Sequence, residues 1–476
     1  MSAPLVSPIV PSLVARQPAA APALVRAIGV RQLTAGLCNA SIGAGIYLLP
    51  GRVAGEIGSA APLAYALCGV TILFVMFSLA MAGSRVAVSG GPYAFAGAAF
   101  GPRVGFITGF MFCLSLVMAV GGVARELAGI TASLLPQPLA SVPTWVWLAA
   151  IVSALAGCNI RGVRGGATLV EVMTLAKVLP LLIFVAVGFT AVRPEALAWS
   201  HWPEAIHLGP ALILVFWALS GSEMALQSGE EIKAPARTVP RAILLAVPAV
   251  LLFYLAIQTT AQGVLGPEMA QWKNQNVLAP AARVFLGPPG ALLLTLGAAI
   301  SMLGLVSGDM LGTPRTWYAI ARAGLVPRAL ARIHPQYRTP HVAITTHAAL
   351  IFFAGATGTF ERLVELSGAM IVVMYMVCCA AAWRLHRRDV RLASKPFQPR
   401  GAGLLPWLAI GCLIWILSQQ AAVELGTAAV AALLGATIYE LRRTRVRADH
   451  QYGPGVAKGN RSEAARWVNE RLTLLA

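Results

Sequence analysis

The chain has 476 residues, of which 58% are hydrophobic and only 11% are charged. Soluble domains carry roughly 25% charged residues, so this composition excludes an ordinary water-soluble protein and favours one surrounded by lipid. The formal net charge of +18 would suggest a nucleic-acid partner in a soluble protein. Here the basic residues are concentrated in short segments between apolar stretches. This placement indicates a different reason for the positive charge.

Apolar stretches long enough to cross a bilayer recur along nearly the whole chain. A transmembrane helix needs about 20 mostly apolar residues. The stretches are aliphatic runs without the alternation of a membrane β-barrel, so we predict an all-α integral membrane protein with about twelve transmembrane helices. The predicted spans are residues 33–52, 60–82, 104–133, 144–160, 166–192, 209–229, 241–265, 290–313, 341–357, 364–384, 404–420 and 424–441.

The basic residues predict the orientation of these spans. If the N-terminus is cytoplasmic and successive spans alternate in direction, most of the 36 Lys and Arg residues fall on the cytoplasmic side. This is the positive-inside pattern, and it predicts that both termini are cytoplasmic. The basic loops then set the topology, and no nucleic-acid partner is expected. The expected location is the plasma membrane, as a multi-pass protein of a bacterial inner membrane.

Small residues interrupt the first predicted span near its centre. Residues 38–51 read CNASIGAGIYLLPG, with Gly43 and Gly45 on either side of Ala44. Glycine permits unwinding and the close approach of a ligand. Backbone groups freed in this way are tolerated only where they line a cavity or pack against protein.

A second interruption lies in span 6, where residues 216–223 read FWALSGSE. Paired breaks in corresponding halves of a chain indicate the binding site of a transporter. Spans 1 and 6 are an odd number of spans apart and therefore cross in opposite directions, as an inverted repeat of five plus five helices requires. For either break taken alone, close packing of small residues between helices is an alternative explanation.

The repeat predicts how the chain is divided. The first five-helix repeat comprises residues 31–207, the second, inverted repeat comprises residues 208–388, and two extra transmembrane helices lie in residues 404–441. Residues 1–30 are predicted to be a disordered cytoplasmic lead, and residues 442–476 a cytoplasmic tail.

Broken helices offer a physical means of binding a zwitterion. The N–H groups exposed at one half-helix end favour a carboxylate, and the carbonyls exposed at the other end favour an ammonium group. Two broken helices side by side would therefore supply both polar partners of an amino acid.

Four motifs in the correct order resemble the amino acid–polyamine–organocation (APC) superfamily of permeases. The strings are GAGIYLLPG at 43–51, SGGPY at 89–93, the span 6 region at 216–243, and the loop at 315–327 with Arg, Tyr-Ala, Arg and Gly-Leu-Val-Pro. The resemblance covers about residues 30–385. It implies the LeuT-type inverted-repeat fold, alternating access, and an amino acid or related amine as substrate.

The resemblance also implies the positions of the substrate-binding residues. The backbone of the first break would hold the carboxylate, at Ala40, Ser41, Ile42, Gly43, Ala44 and Gly45. The backbone of the second would hold the amino group, at Phe216, Trp217, Ala218 and Leu219, with Ser220 and Gly221 completing the set. Trp217 matches an aromatic gate of the similar arginine/agmatine antiporters, and a packed aromatic is the alternative.

Three ionisable residues inside spans are further candidates, because charges in the bilayer are costly and are usually functional. Lys177 matches a lysine of proton-coupled relatives; it either transfers a proton or is a fixed tether to carbonyls at the first break. Glu223 could bind a proton, contact the span 1 backbone or meet a substrate amine. Asp309 would favour cationic or amine substrates, unless it pairs with Arg315 or water. His347 is expected to be packed and neutral.

The resulting hypothesis is a secondary amino acid or amine transporter. Lys177 favours proton-coupled symport, with the proton as coupling ion, whereas the resemblance of Trp217 and Glu223 to the antiporters favours exchange. A transporter-like sensor without net flux is a third possibility. The sequence has no P-loop, Rossmann fingerprint, zinc-binding spacing or intramembrane catalytic motif, so no enzyme activity, cofactor or metal is expected. It does not predict an oligomeric state.

Overall fold

The computed structural model describes residues 28–86, 90–161, 166–198, 205–226, 232–272, 276–322, 324–390 and 395–452. Within these ranges the regular structure is helical, apart from one isolated parallel β-bridge between Ile28 and Ile232. The all-α prediction is therefore confirmed. Most of the predicted lead (residues 1–30) and of the predicted tail (residues 442–476) lies outside the described residues.

Fifteen α-helices occur in the described residues, and we number them in chain order. They are α1 (Val30–Ser41), α2 (Gly45–Ile57), α3 (Ala61–Gly83), α4 (Pro92–Phe100), α5 (Pro102–Leu134), α6 (Thr144–Arg161), α7 (Gly166–Gly188), α8 (Ala205–Leu219), α9 (Ser222–Ala225), α10 (Pro235–Leu265), α11 (Leu278–Arg322), α12 (His341–Thr357), α13 (Phe360–Arg387), α14 (Leu405–Ser418) and α15 (Ala422–Tyr452).

The length and composition of these helices are those of a multi-pass membrane protein. Among the described residues, seven helical stretches are long and apolar enough to cross a membrane, and four shorter apolar helices accompany them. One of the seven, Gly45–Gly83, contains both α2 and α3. The prediction of about twelve spans in an inverted repeat remains a prediction.

The helix boundaries depart from the predicted spans in several places, most at α11, which covers Leu278–Arg322 where residues 290–313 were predicted. Helix α4 lies between predicted spans 2 and 3, and it begins with a proline, which suits the first turn of a helix. Helix α15 continues to Tyr452, beyond the predicted end of the last span at residue 441. The residues that follow are mostly good helix formers, which explains the continuation into a polar segment.

Helix α5 occupies the centre of the bundle. Its 33 residues pack against six other helices, namely α4, α6, α11, α12, α13 and α15. Helices α1, α2, α8 and α9 form a second group, in which α1 packs against α9 and α10, and α2 packs against α8. The two interrupted segments predicted from the sequence both belong to this second group.

A kink near the start of α11 separates a short first segment from a longer second segment. Gly287 has φ 66° and ψ −163° and is followed by Pro288 and Pro289. Glycine adopts this backbone conformation without the steric penalty that other residues meet, and the prolines start a new helical segment. The long segment of α11 then runs past the first break.

Candidate functional site

The first break separates α1 from α2. Helix α1 ends at Ser41, residues 42–44 are bends, and α2 begins at Gly45. The interruption frees backbone carbonyls that a continuous helix would use. Those of Asn39, Ile42 and Gly43 accept hydrogen bonds from side chains on other helices. The break predicted at the centre of span 1 is therefore present, at the predicted residues.

The second break separates α8 from α9. Helix α8 ends at Leu219, and α9 begins at Ser222. Between them Gly221 has φ +106°, a left-handed conformation that favours glycine. The Ser220 hydroxyl donates to the carbonyl of Trp217 at 2.7 Å, and the Gly221 N–H donates to the Glu223 carboxylate at 3.0 Å.

The two breaks lie directly against each other. The hydroxyls of Ser41 and Ser222 are 2.7 Å apart. A Cβ atom added to Gly221 would lie 2.8 Å from the carbonyl oxygen of Ala40, and one added to Gly45 would lie 3.0 Å from Cβ of Ala218. Glycine at both positions is therefore what permits the two backbones to approach so closely.

Tyr254, on α10, joins the carbonyl groups of the two breaks. Its buried hydroxyl lies 2.9 Å from the carbonyl oxygens of both Ser41 and Ala218. The hydroxyl has one proton and can donate fully to only one of them at a time. Sequence reasoning missed Tyr254, although a tyrosine within an apolar span signals a need for a hydrogen-bond partner.

Lys177 of α7 is directed at the first break. Its ammonium nitrogen donates to the carbonyl of Asn39 at 2.6 Å and to that of Ile42 at 2.7 Å. The side chain is only 2% exposed, and charge-assisted hydrogen bonds of this length compensate in part for its removal from water. This geometry is that of a tether to the first break, one of the two roles that the sequence left open for Lys177.

Ser301 of α11 approaches the same break from another direction. Its hydroxyl lies 3.1 Å from the carbonyl oxygen of Gly43 and 3.4 Å from that of Ile42. Ser301 was also missed by sequence reasoning, because one serine in a long apolar helix does not reveal which neighbour it faces. The Ile42 carbonyl is thus shared between Lys177 and Ser301.

Glu223 ties the second break to α13. Its Oε2 atom accepts the N–H of Gly221, as noted for the second break, and a hydrogen bond from the Tyr375 hydroxyl. Glu223 is buried. One role considered for Glu223 was contact with the span 1 backbone. These two bonds do not make that contact, because their donors belong to the second break and to α13.

Trp217 and Phe216 pack against different neighbouring residues. The indole of Trp217 is nearly buried and lies edge-on to Phe360, with ring centroids 6.0 Å apart. A Cβ atom at Gly45 would meet it at 3.3 Å. Phe216 is packed edge-on against Tyr375, at 5.7 Å. Trp217 therefore lies over the start of α2, next to the first break.

Asp309 lies away from the breaks, between α11 and α12. Its Oδ2 atom is 2.7 Å from Nε2 of His347, and its Oδ1 atom accepts the Thr313 hydroxyl at 2.5 Å. Asp309 follows Ser301 by eight positions, about 12 Å along a helix. His347 is buried as expected, but its partner is an acid. Arg315, which was considered with water as an alternative partner of Asp309, donates to the carbonyl of Leu311.

No metal-binding group accompanies these residues in the part of the chain that the structure describes. That part contains no cluster of three or more His, Cys, Asp or Glu side chains that could hold a metal ion. Among the described residues, the groups that bond at the breaks include backbone groups, hydroxyls, the ammonium of Lys177 and the carboxylate of Glu223.

An all-helical membrane bundle with two adjoining broken helices has the architecture of a secondary transporter. The family model described as "Amino acid permease" matches residues 28–432. The chain belongs to this family of the APC superfamily, which confirms the resemblance drawn from the four motifs.

Relatives with transport names cover most of the chain. It is 26% identical over 444 residues to the branched-chain amino acid permease BcaP of Bacillus subtilis, covering 88% of this chain and 93% of that protein. It is 25% identical over 411 residues to the serine/threonine exchanger SteT of the same organism, covering 83% and 91%. An uncharacterized transporter of Mycobacterium tuberculosis is 29% identical over 430 residues, covering 87% and 90%.

Proposed function

We propose that the protein is a secondary active transporter that moves an amino acid across the plasma membrane by alternating access. The observation that carries this proposal is the contact between the two breaks, where Ser41 and Ser222 meet. Backbone groups freed in the middle of a membrane protein cost free energy unless they find hydrogen-bonding partners. A bound polar solute can supply such partners.

The proposed site uses the backbone of both breaks. The first, Ala40 to Gly45, would receive the carboxylate, and the second, Phe216 to Gly221, would receive the amino group. Trp217 would cover the bound side chain. The names of the relatives suggest the substrates to test first, namely branched-chain amino acids and the small hydroxyl amino acids serine and threonine.

We further propose that transport is coupled to protons through Lys177. Its ammonium group now bonds two carbonyls of the first break. Loss of a proton would remove the charge from these bonds and weaken them, which would loosen α1 from α7. Lys177 would then couple the proton to the shape of the site. Glu223, tied to the second break, is the other group that could exchange a proton.

The proposed topology has twelve spans in an inverted repeat, with both termini in the cytoplasm. Treating α1–α2 and α8–α9 as single interrupted spans, and α4 as a helix outside the membrane, leaves twelve spans. Each break then lies in the first helix of its repeat. This arrangement also places most basic residues on the cytoplasmic side.

Uptake by purified protein in lipid vesicles tests the proposal. The vesicles are supplied with labelled leucine, isoleucine, valine, serine or threonine, with and without a pH gradient. Uptake that an inward proton gradient increases would support symport. Uptake that requires unlabelled amino acid inside the vesicles would support exchange, which the name of SteT makes the second candidate. Absence of any flux would favour a sensor and contradict the proposal.

A further inference from the structure

The end of α13 and the segment that leads into α14 form a basic surface, on the side of the membrane predicted to be cytoplasmic. Residues 384–400 contain five arginines and a single acid, Asp389. Three of the arginines, Arg387, Arg388 and Arg400, are exposed. Among the described residues, no acid forms an ion pair with any of the three. Their charges are therefore available to an anion from outside the protein.

The segment between α13 and α14 is fixed in place by a buried arginine. Arg85, just after the end of α3, is only 1% exposed. Its guanidinium donates to the carbonyl of Phe397 at 3.1 Å and lies 3.2 Å from Nδ1 of His386 on α13. The N–H of Phe397 donates to the Ser84 hydroxyl at 3.1 Å. These bonds hold the segment, and with it Arg400, against the ends of α3 and α13.

Two tryptophans border the exposed arginines. The indole rings of Trp383 on α13 and Trp407 on α14 pack edge to face, with centroids 5.3 Å apart. The guanidinium of Arg387 lies over the Trp383 ring, 5.7 Å from its centroid. Trp407 is 48% exposed, and Leu404 and Leu408 beside it are 60% and 43% exposed. Tryptophan is enriched at the level of the lipid headgroups, so the surface passes from cations to apolar side chains at that depth.

Charge alone does not distinguish this surface from the rest of the protein. Residues 315–338 form a second basic segment, with five arginines and no acid. Their tryptophan, Trp317, is partly buried and packs edge-on against Phe110, with ring centroids 6.1 Å apart. The surface at α13 and α14 adds exposed aromatic and aliphatic groups to its cations, and a ligand with an anionic head and apolar chains needs both.

The chemistry of this surface matches a phospholipid with a net negative charge. A guanidinium group donates parallel hydrogen bonds to phosphate oxygens. Stacking on an indole occupies the face of the Arg387 guanidinium and leaves its N–H edge free to donate. The exposed parts of Leu404, Trp407 and Leu408 offer an apolar contact for the glycerol backbone and the first carbons of the acyl chains.

We propose that the end of α13, the fixed segment and the start of α14 form a binding site for an anionic phospholipid of the cytoplasmic leaflet. The phosphate would lie at the exposed arginines, beginning with Arg387 beside Trp383, and the chains would lie against Trp407. This inference does not depend on which solute the protein transports. It requires only that the helical bundle lies in a membrane.

Titration with short-chain lipids tests the site. Dioctanoyl phosphatidylglycerol is added to the purified full chain in a neutral detergent, and its Kd is measured by calorimetry. Dioctanoyl phosphatidylcholine, which has the same chains and no net charge, is the comparison. We expect the wild-type protein to bind phosphatidylglycerol more tightly. Arg387→Gln and Arg400→Gln should each weaken that binding about fivefold, the effect of one cation near an anionic lipid.

Two further variants separate the headgroup contact from other effects. Arg332→Gln removes the same charge from an exposed arginine of the second basic segment and should bind phosphatidylglycerol as the wild-type protein does. Trp407→Ala should weaken the binding of both lipids to a similar extent, because both share the glycerol backbone and the chains. Arg387 and Arg400 are exposed, so thermal unfolding without lipid should be unchanged by either substitution.

Three outcomes would overturn the proposal. Equal affinity of the wild-type protein for the two lipids would show that the surface does not recognise negative charge. An equal loss of affinity in Arg332→Gln would assign the preference to the overall charge of the protein. Competition by glycerol 3-phosphate at the concentrations at which the lipid binds would show a site for soluble phosphate compounds, with no role for the apolar contact.

Discussion

The hydroxyl oxygens of Ser41 and Ser222 lie 2.7 Å apart, although 181 positions separate the two serines in the chain. Ser41 is the last residue of α1, and Ser222 is the first residue of α9. One hydrogen bond therefore connects the two points at which membrane helices stop and restart. A structural change at either break should alter the other break, because the contact between them is short and buried.

The closeness of the breaks can be tested at Gly221. Its φ of +106° is unfavourable for a residue with a side chain, and a Cβ atom would lie 2.8 Å from the carbonyl oxygen of Ala40. We expect Gly221→Ala to cost about 1–3 kcal/mol in strain and to abolish uptake. Thermal unfolding in detergent and vesicle uptake measure the two effects.

Gly411→Ala is the matched control for this substitution. Gly411 lies in α14, and a Cβ atom there would have nothing within 4 Å. Alanine also has the higher helix propensity, so stability should be unchanged or slightly greater and uptake should be normal. Wild-type uptake by Gly221→Ala would show that the close approach of the breaks is unnecessary.

Lys177→Ala tests the coupling role of the ammonium group. The substitution removes the ammonium donor from the carbonyl of Asn39 and leaves that of Ile42 with only the longer contact to Ser301 at 3.4 Å. A buried acceptor that loses its hydrogen bond costs about 1–3 kcal/mol. We expect slower uptake that no longer responds to a pH gradient. The measurement is the initial rate of uptake at several external pH values with a fixed internal pH.

The control for Lys177 is Lys395→Ala, because Lys395 is exposed and lies outside the described helices. It should retain both the rate and the pH response of the wild-type protein. A Lys177→Ala protein that keeps the full pH dependence would rule out proton coupling through this residue and would leave it as a tether alone.

Glu223 is expected to tolerate glutamine better than alanine. The amide oxygen of Glu223→Gln can still accept hydrogen bonds from Gly221 and Tyr375, whereas Glu223→Ala leaves both donors without an acceptor. We expect the alanine variant to be less stable than the glutamine variant by about 1–3 kcal/mol. Unfolding in detergent compares the two, with Glu195→Ala at an exposed position as the control. Equal stability of the two Glu223 variants would contradict this role.

Asp309 and His347 should behave as an energetically coupled pair. Both are 0% exposed, and their side chains are 2.7 Å apart. Removing one partner of a buried pair costs about 3–5 kcal/mol when the other is left charged. We expect Asp309→Ala and His347→Ala each to destabilise the protein. The double variant should lose much less stability than the sum of the two single losses. Additive losses would show that the pair is not coupled.

The predicted influence of Asp309 on the substrate has a separate test. The sequence interpretation of Asp309, as an acid that lines the substrate pocket, predicts a preference for amines and cationic amino acids, although the structure places Asp309 away from the breaks and bonded to His347 and Thr313. If that interpretation holds, Asp309→Asn weakens competition by arginine and lysine against labelled substrate more than competition by leucine. The measurement is the concentration that halves uptake for each competitor. Unchanged affinity and selectivity would show that Asp309 acts only through His347 and Thr313.

Several features of the site could be predicted because they follow from local rules. A glycine in an apolar span weakens the helix at that point, so Gly43, Gly45 and Gly221 indicate the positions of both breaks by their place in the chain alone. The intramembrane cost of a charge singles out Lys177 and Glu223. What each of them touches could not be predicted, because such contacts join residues on different helices.

Other residues of the site left only a weak signal. Tyr254 and Ser301 are polar residues in long, mostly apolar helices, and the same helices contain other polar residues. Their importance comes from facing freed carbonyls of the breaks. For Asp309 the alternative considered from the sequence was pairing with Arg315 or water, whereas packing of α11 against α12 brings in His347.

The sequence by itself determined that this protein is a helical membrane protein and where its helices are interrupted. Both follow from the need of each apolar segment to satisfy its own backbone in lipid, which is a property of short stretches of chain. Only the tertiary structure decided which side chains meet the freed backbone groups. Those contacts depend on how distant helices pack, and no local pattern encodes the rotation and depth of one helix against another.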